Sequence, residues 1–242
     1  MSENILELKD VRVSFKGANR QVKEVLKGVS FKLDRGEILG LAGESGSGKT
    51  TIAKSILGMV KAVSGECIVN THNPQMVFQD PYGSLNPAKT VGWIMQEPLK
   101  MKGGMKAEER RDAVLSMLEE VGLGPEYYDR RSTELSGGQR QRVCIGAALM
   151  REPKLLIADE PVSALDVTVA AQVLKLMKEL KEKRNLSMLF ISHDLRVMYH
   201  FCDRVLILRD GRIIEEGVPS ELYRNPKQEY TKLLLESAGI YN

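Results

Sequence analysis

Cysteine is scarce in this chain. Cys67, Cys144 and Cys202 are odd in number, far apart and at no metal-binding spacing, so reduced thiols in the core are expected. An excess of one charge is also missing: 35 Lys and Arg stand against 32 Asp and Glu, a formal net of +3. So small a balance gives no sign of the clustered basic face that nucleic-acid binders carry, and no nucleic-acid partner is expected. No run approaches the ~18 consecutive apolar residues of a spanning helix, so the chain is not expected to cross a bilayer alone. The opening MSENILELKD is polar and holds no apolar leader core, so no secretory signal is expected. Linkers and internal repeats are missing too. What remains is an ordinary globular composition, 43% hydrophobic and 28% charged, with a length that is long for one domain but can be one. A cytoplasmic protein is expected, with any membrane role running through a partner.

The pattern along the chain is that of an interrupted α/β protein. Leu6, Leu8, Val11, Val13 and Phe15 nearly alternate with polar residues, as do Val29, Phe31 and Leu33, which predicts strands. Ile38 to Ala42 is a short apolar run, as in a strand buried on both faces, and it leads into Gly43. Ile52, Ala53, Ile56, Leu57 and Val60 then recur at helical spacing. From about 82 to 150 strand signals are few, and helices are predicted over Thr90 to Leu99 and Ala107 to Val121, with Gly122 as a stop. The α/β pattern resumes with a buried strand at Leu155 to Ala158 and an amphipathic helix through Val169, Val173, Leu176, Met177 and Leu180. On that helix Glu179 and Lys183 stand at i,i+4. A strand at Met188 to Ile191 follows, then a hairpin turning at Asp210-Gly211, then short helices near Glu221 and Tyr230.

Chemistry concentrates at a few places. Gly43 to Thr50, GESGSGKT, fits the phosphate-loop pattern, and strand, loop and helix occur in the order that makes the match meaningful. Gly46 and Gly48 let backbone N–H groups approach phosphates, and the helix beginning near Lys49 adds its positive end. Lys49 supplies charge for the β- and γ-phosphates, the Thr50 hydroxyl suits Mg²⁺, and Thr51 can reach the α-phosphate. Asp159, ending an apolar strand, is positioned for Mg²⁺, and Glu160 on another side can polarise an attacking water. Asp-Glu-Pro is also an ordinary polar turn, so the upstream loop carries that reading. His193 ends a second apolar strand, where it can meet a γ-phosphate or water or serve structure alone. Gln79 in VFQDP is neutral and can reach both metal and water. In LSGGQ, Leu135 to Gln139, Ser136 can cap the following helix while Gly137 and Gly138 expose N–H groups to an anion. A plain helix cap is the simpler reading of that motif taken alone.

GESGSGKT, VFQDP, LSGGQ, LLIADEP, SALD and ISHD occur in the order seen in ATP-binding subunits of ABC transporters, and the chain resembles that family over nearly its whole length. The resemblance implies an α/β fold: a P-loop NTPase core of the ABC ATPase type with an antiparallel β subdomain and a helical insert over about 82–150, all within a single domain, 1–242. It implies ATP and Mg²⁺ as cofactors and a head-to-tail dimer with two ATPs at the interface. Each ATP is then held by Gly43, Ser45, Gly46, Gly48, Lys49, Thr50 and Thr51 of one subunit and by Ser136, Gly138 and Gln139 of the other. Glu160 resembles the catalytic base, Asp159 the Mg²⁺ ligand, Gln79 the sensor glutamine that also reaches the metal, and His193 the switch histidine. Ser163 to Asp166 resembles the loop coupling the two sites, and Phe15 is the nearest candidate for stacking on adenine. The implied partners are a second ATPase subunit (the same chain or a sibling), integral membrane permease subunits and, indirectly, an extracytoplasmic solute-binding protein. The implied location is peripheral, at the cytoplasmic face of the membrane.

GESGSGKT, FQDPYGSLNP, DEPVSALDV and NPKQEYTKLLL resemble the peptide/nickel importer branch more closely. Thirteen residues separate Gly65 from Gln79, and the sequence ends at Asn242 without a cysteine-bearing extension. Both features resemble the smaller ATPases of nickel or metallophore importers, so peptide and nickel/metallophore cargo both stay open. The apolar residues after Gln79, among them Leu85, Val91 and Met95, are candidates either for docking on a permease or for the insert's own core. The alternative is a non-transport relative acting on DNA or ribosomes. The 56 residues between Gln79 and Ser136 leave no room for a long coiled coil, and only one cassette is present.

Overall fold

The computed structural model describes residues 4–16 and 21–240. In chain order its elements are β1 (Asn4–Lys16), β2 (Val22–Asp34), β3 (Ile38–Ala42), α1 (Lys49–Ile56), β4 (Ser64–Val69), β5 (Gln75–Val77), a single turn α2 (Pro81–Ser84), α3 (Val91–Lys102), α4 (Ala107–Glu120) and α5 (Gly137–Leu149). They continue as β6 (Leu155–Asp159), α6 (Val167–Arg184), β7 (Ser187–Ile191), α7 (Leu195–Phe201), β8 (Arg204–Arg209), β9 (Arg212–Gly217), α8 (Pro219–Leu222) and α9 (Glu229–Ser237). The strands form an antiparallel sheet in the order β2-β1-β4 and a six-stranded sheet in the order β5-β6-β7-β3-β8-β9. All neighbours in the larger sheet are parallel except the final hairpin β8-β9.

The imperfect alternation of the first strands has a structural cause. Leu6 and Leu8 are buried, then Val11 and Val13, a phase slip of one residue. The pairing register shifts between Leu8 and Val11, where Asp10 adopts φ 46. A bulge there keeps both apolar pairs on the inner face, where a slip would otherwise expose the second pair.

Strand alternation also divides the interior in two. Leu39, Leu41, Leu155, Ile157, Leu189, Ile191, Leu206 and Leu208 pack with β1, β2 and Ile52, Ala53 and Ile56 of α1. Their sequence neighbours Ile38, Ala42, Leu156, Ala158, Met188, Phe190, Val205 and Ile207 pack toward the helices. A sheet covered on both faces requires strands that are apolar at every position, and β3 and β7 are wholly buried, as is β6 to its terminal Asp159.

Between β5 and β6 the chain is helical, as expected. Thr90 caps α3 by accepting from Trp93 N, and α4 stops at Val121 before Gly122 at φ 71. One open alternative is decided and two expectations change. Leu85 (4% exposed), Val91 and Met95 are interior residues of this helical layer, so none of them offers a docking surface. Glu179 pairs with Lys175 at 3.9 Å, whereas Lys183 turns to Glu120 at 3.5 Å. Helix α1 ends at Ile56, with Leu57 as its cap and Gly58 at φ 69 reversing the chain, so Leu57 and Val60 lie beyond it. Of the cysteines only Cys202 is buried, while Cys67 and Cys144 are half-buried; all three are free.

Candidate active site

The parallel strands β3, β5, β6 and β7 end along one edge of the sheet, and each is followed there by a residue singled out from the sequence. Gly43 follows β3, Gln79 lies two residues beyond β5, Asp159 ends β6 before Glu160, and His193 lies two residues beyond β7. This is the edge at which open α/β sheets place ligands.

The loop from Gly43 runs into α1, whose first residue is Lys49. Backbone bonds brace it from two sides: Ser47 N donates to Glu44 O at 3.2 Å, and Gly211 N, in the β8-β9 turn, donates to Ser47 O at 3.1 Å. Lys49 is 6% exposed, and its Nζ donates to Gly43 O at 2.7 Å and Glu44 O at 2.9 Å. Burial lowers its pKa, while the charges of Glu160, Asp159 and Glu44 oppose that shift. The ammonium is thus held over the loop as a cation in search of an anion. Gly46 has φ 83, and a Cβ there would point into open space. Its missing side chain serves the left-handed backbone and leaves the N–H groups approachable. Among the described residues, the buried Ser47 hydroxyl has no hydrogen-bond partner.

Opposite the loop, Thr50 Oγ1 donates to Asp159 Oδ2 at 2.8 Å. Asp159 is 5% exposed, and burial raises its pKa despite the Thr50 bond, with Glu160 adding to the rise. Glu160 has φ 48, a left-handed conformation uncommon for a residue with a side chain. Its N–H is tied to Ile191 O at 2.8 Å, so neighbouring strand β7 over-determines this backbone. The turn brings Glu160 Oε2 to 3.0 Å from His193 Nδ1 and 3.4 Å from Gln79 Nε2. A carboxylate acceptor requires the proton on His193 Nδ1.

A pocket of about 460 Å³ joins these groups; Ser45, Gly46, Gly48, Lys49, Thr50, Thr51, Gln79, Glu160 and His193 line it. That volume lies within the range of small-molecule sites. Val25 of β2 lines it too, a residue that no motif in the sequence singles out. Phe15 does not line this pocket. It stands 44% exposed near the end of β1, opposite Lys23. A hydroxyl and a buried carboxylate 2.8 Å apart are hard oxygen donors suited to Mg²⁺.

Ser136, Gly138 and Gln139 are not among the pocket's lining residues. They start α5 as a reciprocal cap: Gln139 N donates to Ser136 Oγ at 3.3 Å, and Ser136 N donates to Gln139 Oε1 at 2.9 Å. Gln139 Nε2 is held by Tyr127 Oη at 2.8 Å. Gly138 is buried, and a Cβ there would lie 2.4 Å from Val169 Cγ1, so close packing against the start of α6 demands glycine.

The profile of the ABC transporter family matches residues 26–163. The dipeptide transport ATP-binding protein DppF of Haemophilus influenzae is 46% identical over 235 residues, covering 91% of this chain and 72% of the relative. The oligopeptide transport ATP-binding protein AppF of Bacillus subtilis is 44% identical over 260 residues, covering 98% of this chain and 79% of the relative. Among solved structures, a dimeric ATP-binding cassette in a post-hydrolysis state bound to ADP and Pi superposes with TM-score 0.78 at 30% identity, covering 88% of this chain and 98% of that one. The cbiO1 cassette of Clostridium perfringens, part of an ABC transporter complex, gives 0.80 at 27% identity and covers 92% of both chains. Motif order, sheet topology and these matches agree: the chain belongs to the ABC transporter family, as an ATP-hydrolysing subunit of its peptide-importer branch.

Proposed function

We propose that the chain hydrolyses ATP to drive import of a small solute, a peptide or a nickel/metallophore species, through a membrane permease. The observation that carries the chemistry is the convergence of His193 and Gln79 on one oxygen of Glu160, in the pocket that Lys49 and Thr50 also line, with Asp159 bonded to Thr50. Backbone N–H groups of residues 46–51 and Lys49 bind the phosphates. Glu160 accepts the proton of the attacking water, and His193 and Gln79 fix its orientation. Bound through Thr50, Asp159 and Gln79, Mg²⁺ would supply charge neutralisation at the β- and γ-phosphate oxygens. Val25 and Phe15 are the available contacts for the base, Val25 from within the pocket and Phe15 from the end of β1.

Residues 1–242 act as one ATP-binding domain whose helical layer, about 82–150, meets the permease. The relatives' names, dipeptide and oligopeptide transport, support a peptide cargo and weigh against a DNA- or ribosome-acting ATPase. The short segment between Gly65 and Gln79 supports the nickel/metallophore reading. Two ATPase subunits pair, identical or sibling, with Ser136, Gly138 and Gln139 of each closing on the other's nucleotide. A dimeric relative with ADP and Pi supports that arrangement. The assembly sits at the cytoplasmic face of the membrane and receives solute from an extracytoplasmic binding protein.

Glu160→Gln tests the assigned base. Turnover is expected to fall about 10²- to 10⁴-fold, the usual share of general base catalysis, while ATP still binds. Unchanged turnover in a folded variant refutes the assignment.

A further inference from the structure

The C-terminal helix reaches the phosphate loop. Tyr230 of α9 is 7% exposed, and its hydroxyl accepts the Glu44 N–H at 3.3 Å. The ring is held in place by the Arg209 guanidinium 4.6 Å from its centroid, and α9 is anchored by the fully buried Thr231 and Leu235. The same tail makes two more bonds on this edge: Tyr223 Oη donates to Leu195 O at 3.0 Å, and Arg196 Nε donates to Ala238 O at 2.8 Å. Between them lies a cleft of about 430 Å³ lined by Gly43, Glu44, His193, Arg196, Leu234 and Ala238.

Glu44 sits where the loop leaves the sheet. Its carbonyl and that of Gly43 accept from Lys49, while its N–H is tied to the tail. The tether therefore acts on the peptide units that aim the lysine. We propose that Tyr230 is a positioning residue for nucleotide binding: by holding Glu44 it fixes the entry of the phosphate loop and the acceptors of Lys49. The proposal rests on the loop's binding of ATP, and neither on Glu160 as base nor on the identity of the cargo.

The test is Tyr230→Phe in the full chain, which keeps the ring and its Arg209 contact and removes only the hydroxyl. Dissociation constants for ATP and ADP are expected to rise together by about three- to tenfold, the worth of one hydrogen bond. KM should rise likewise with kcat at saturation retained. Tyr223→Phe removes an equally placed hydroxyl of the same tail that does not touch the loop, and its ATP affinity should match the parent's. Parental affinity in Tyr230→Phe overturns the proposal. So does an equal loss in both variants that tracks their melting temperatures, because the tail then acts through stability alone. Failure of the Glu160→Gln test would leave this result standing, since binding and turnover are read separately.

Discussion

Arg184→Met should lower stability measurably, because Arg184 ties the helical layer to the core. Its Nε and Nη2 meet the two oxygens of Glu120 at 2.7 and 2.6 Å, joining the end of α6 to the end of α4. The two side chains are 25% and 10% exposed. Exposed pairs contribute about 0–1 kcal/mol, and breaking a buried one costs about 3–5. A forked, half-buried pair with Lys183 left behind at 3.5 Å falls between, at ~2 kcal/mol. For a chain of this size that corresponds to ~4–8 °C in melting temperature. The pH dependence has a definite sign. Bonding to Arg184 holds the Glu120 carboxyl below its ordinary value of 4.5. Its contribution is therefore complete above that pH and fades as pH falls through the lower folded value. Melts of parent and variant should differ at pH 7 and converge in acid. Glu120→Leu with Arg184→Met, an apolar replacement of both partners, should recover most of the loss. A variant melting within a degree of the parent at pH 7, or a deficit undiminished below pH 4.5, refutes the reasoning.

Asp159→Asn should separate metal binding from stability. Burial raises the pKa of Asp159, so its ionised form costs stability at neutral pH; the asparagine should raise the melting temperature of the metal-free protein. The same variant should raise the Mg²⁺ needed for half-maximal ATPase by about tenfold or more. In the parent that requirement should climb as pH falls, because proton and cation compete for one carboxylate; a flat profile would contradict this. Gly138→Ala should cost ~1–3 kcal/mol through the 2.4 Å approach to Val169 Cγ1. Adding Val169→Ala should return part of that loss in denaturant titrations, and strict additivity would place the strain elsewhere.

What was legible in the sequence follows from how local the cause is. The phosphate loop was readable because its glycines, Lys49 and Thr50 act within one strand–loop–helix turn. Buried strands were readable because a sheet covered on both faces favours long apolar runs, and Asp159, Glu160 and His193 stand at or within two residues of their ends. Long-range choices were not. Lys183 abandons Glu179 for Glu120, a residue 63 positions away, and no helical spacing contains that option. Leu85 follows VFQDP as a surface residue might, yet it is buried against the helical layer. Tyr230 meets Glu44 across 186 positions, so only the fold discloses the contact.

The phosphate loop and the turn at Ser136, the two proposed phosphate contacts, differ in what they leave available. Around Gly43 to Thr51 the groups face a pocket, and both Lys49 and the Thr50–Asp159 pair are poised for opposite charge. At the start of α5 most of the bonding capacity is already used within the chain: Gln139 is fixed at Oε1 by Ser136 N and at Nε2 by Tyr127. Those two bonds order the turn around Gln139. The Ser136 hydroxyl accepts from Gln139 N yet keeps its own proton, and Ser136 is exposed. That proton is a donor on an exposed residue at a helix N-terminus, suited to an anion arriving from outside the chain. Gly137 lies against Leu165, within the segment from Ser163 to Asp166 that follows Glu160, and Gly138 against Val169 at the entry of α6. Under the proposed pairing, a phosphate of the second subunit would meet a turn packed against the stretch of chain that follows Glu160, the proposed base, and dimer closure would then have a route to the chemistry.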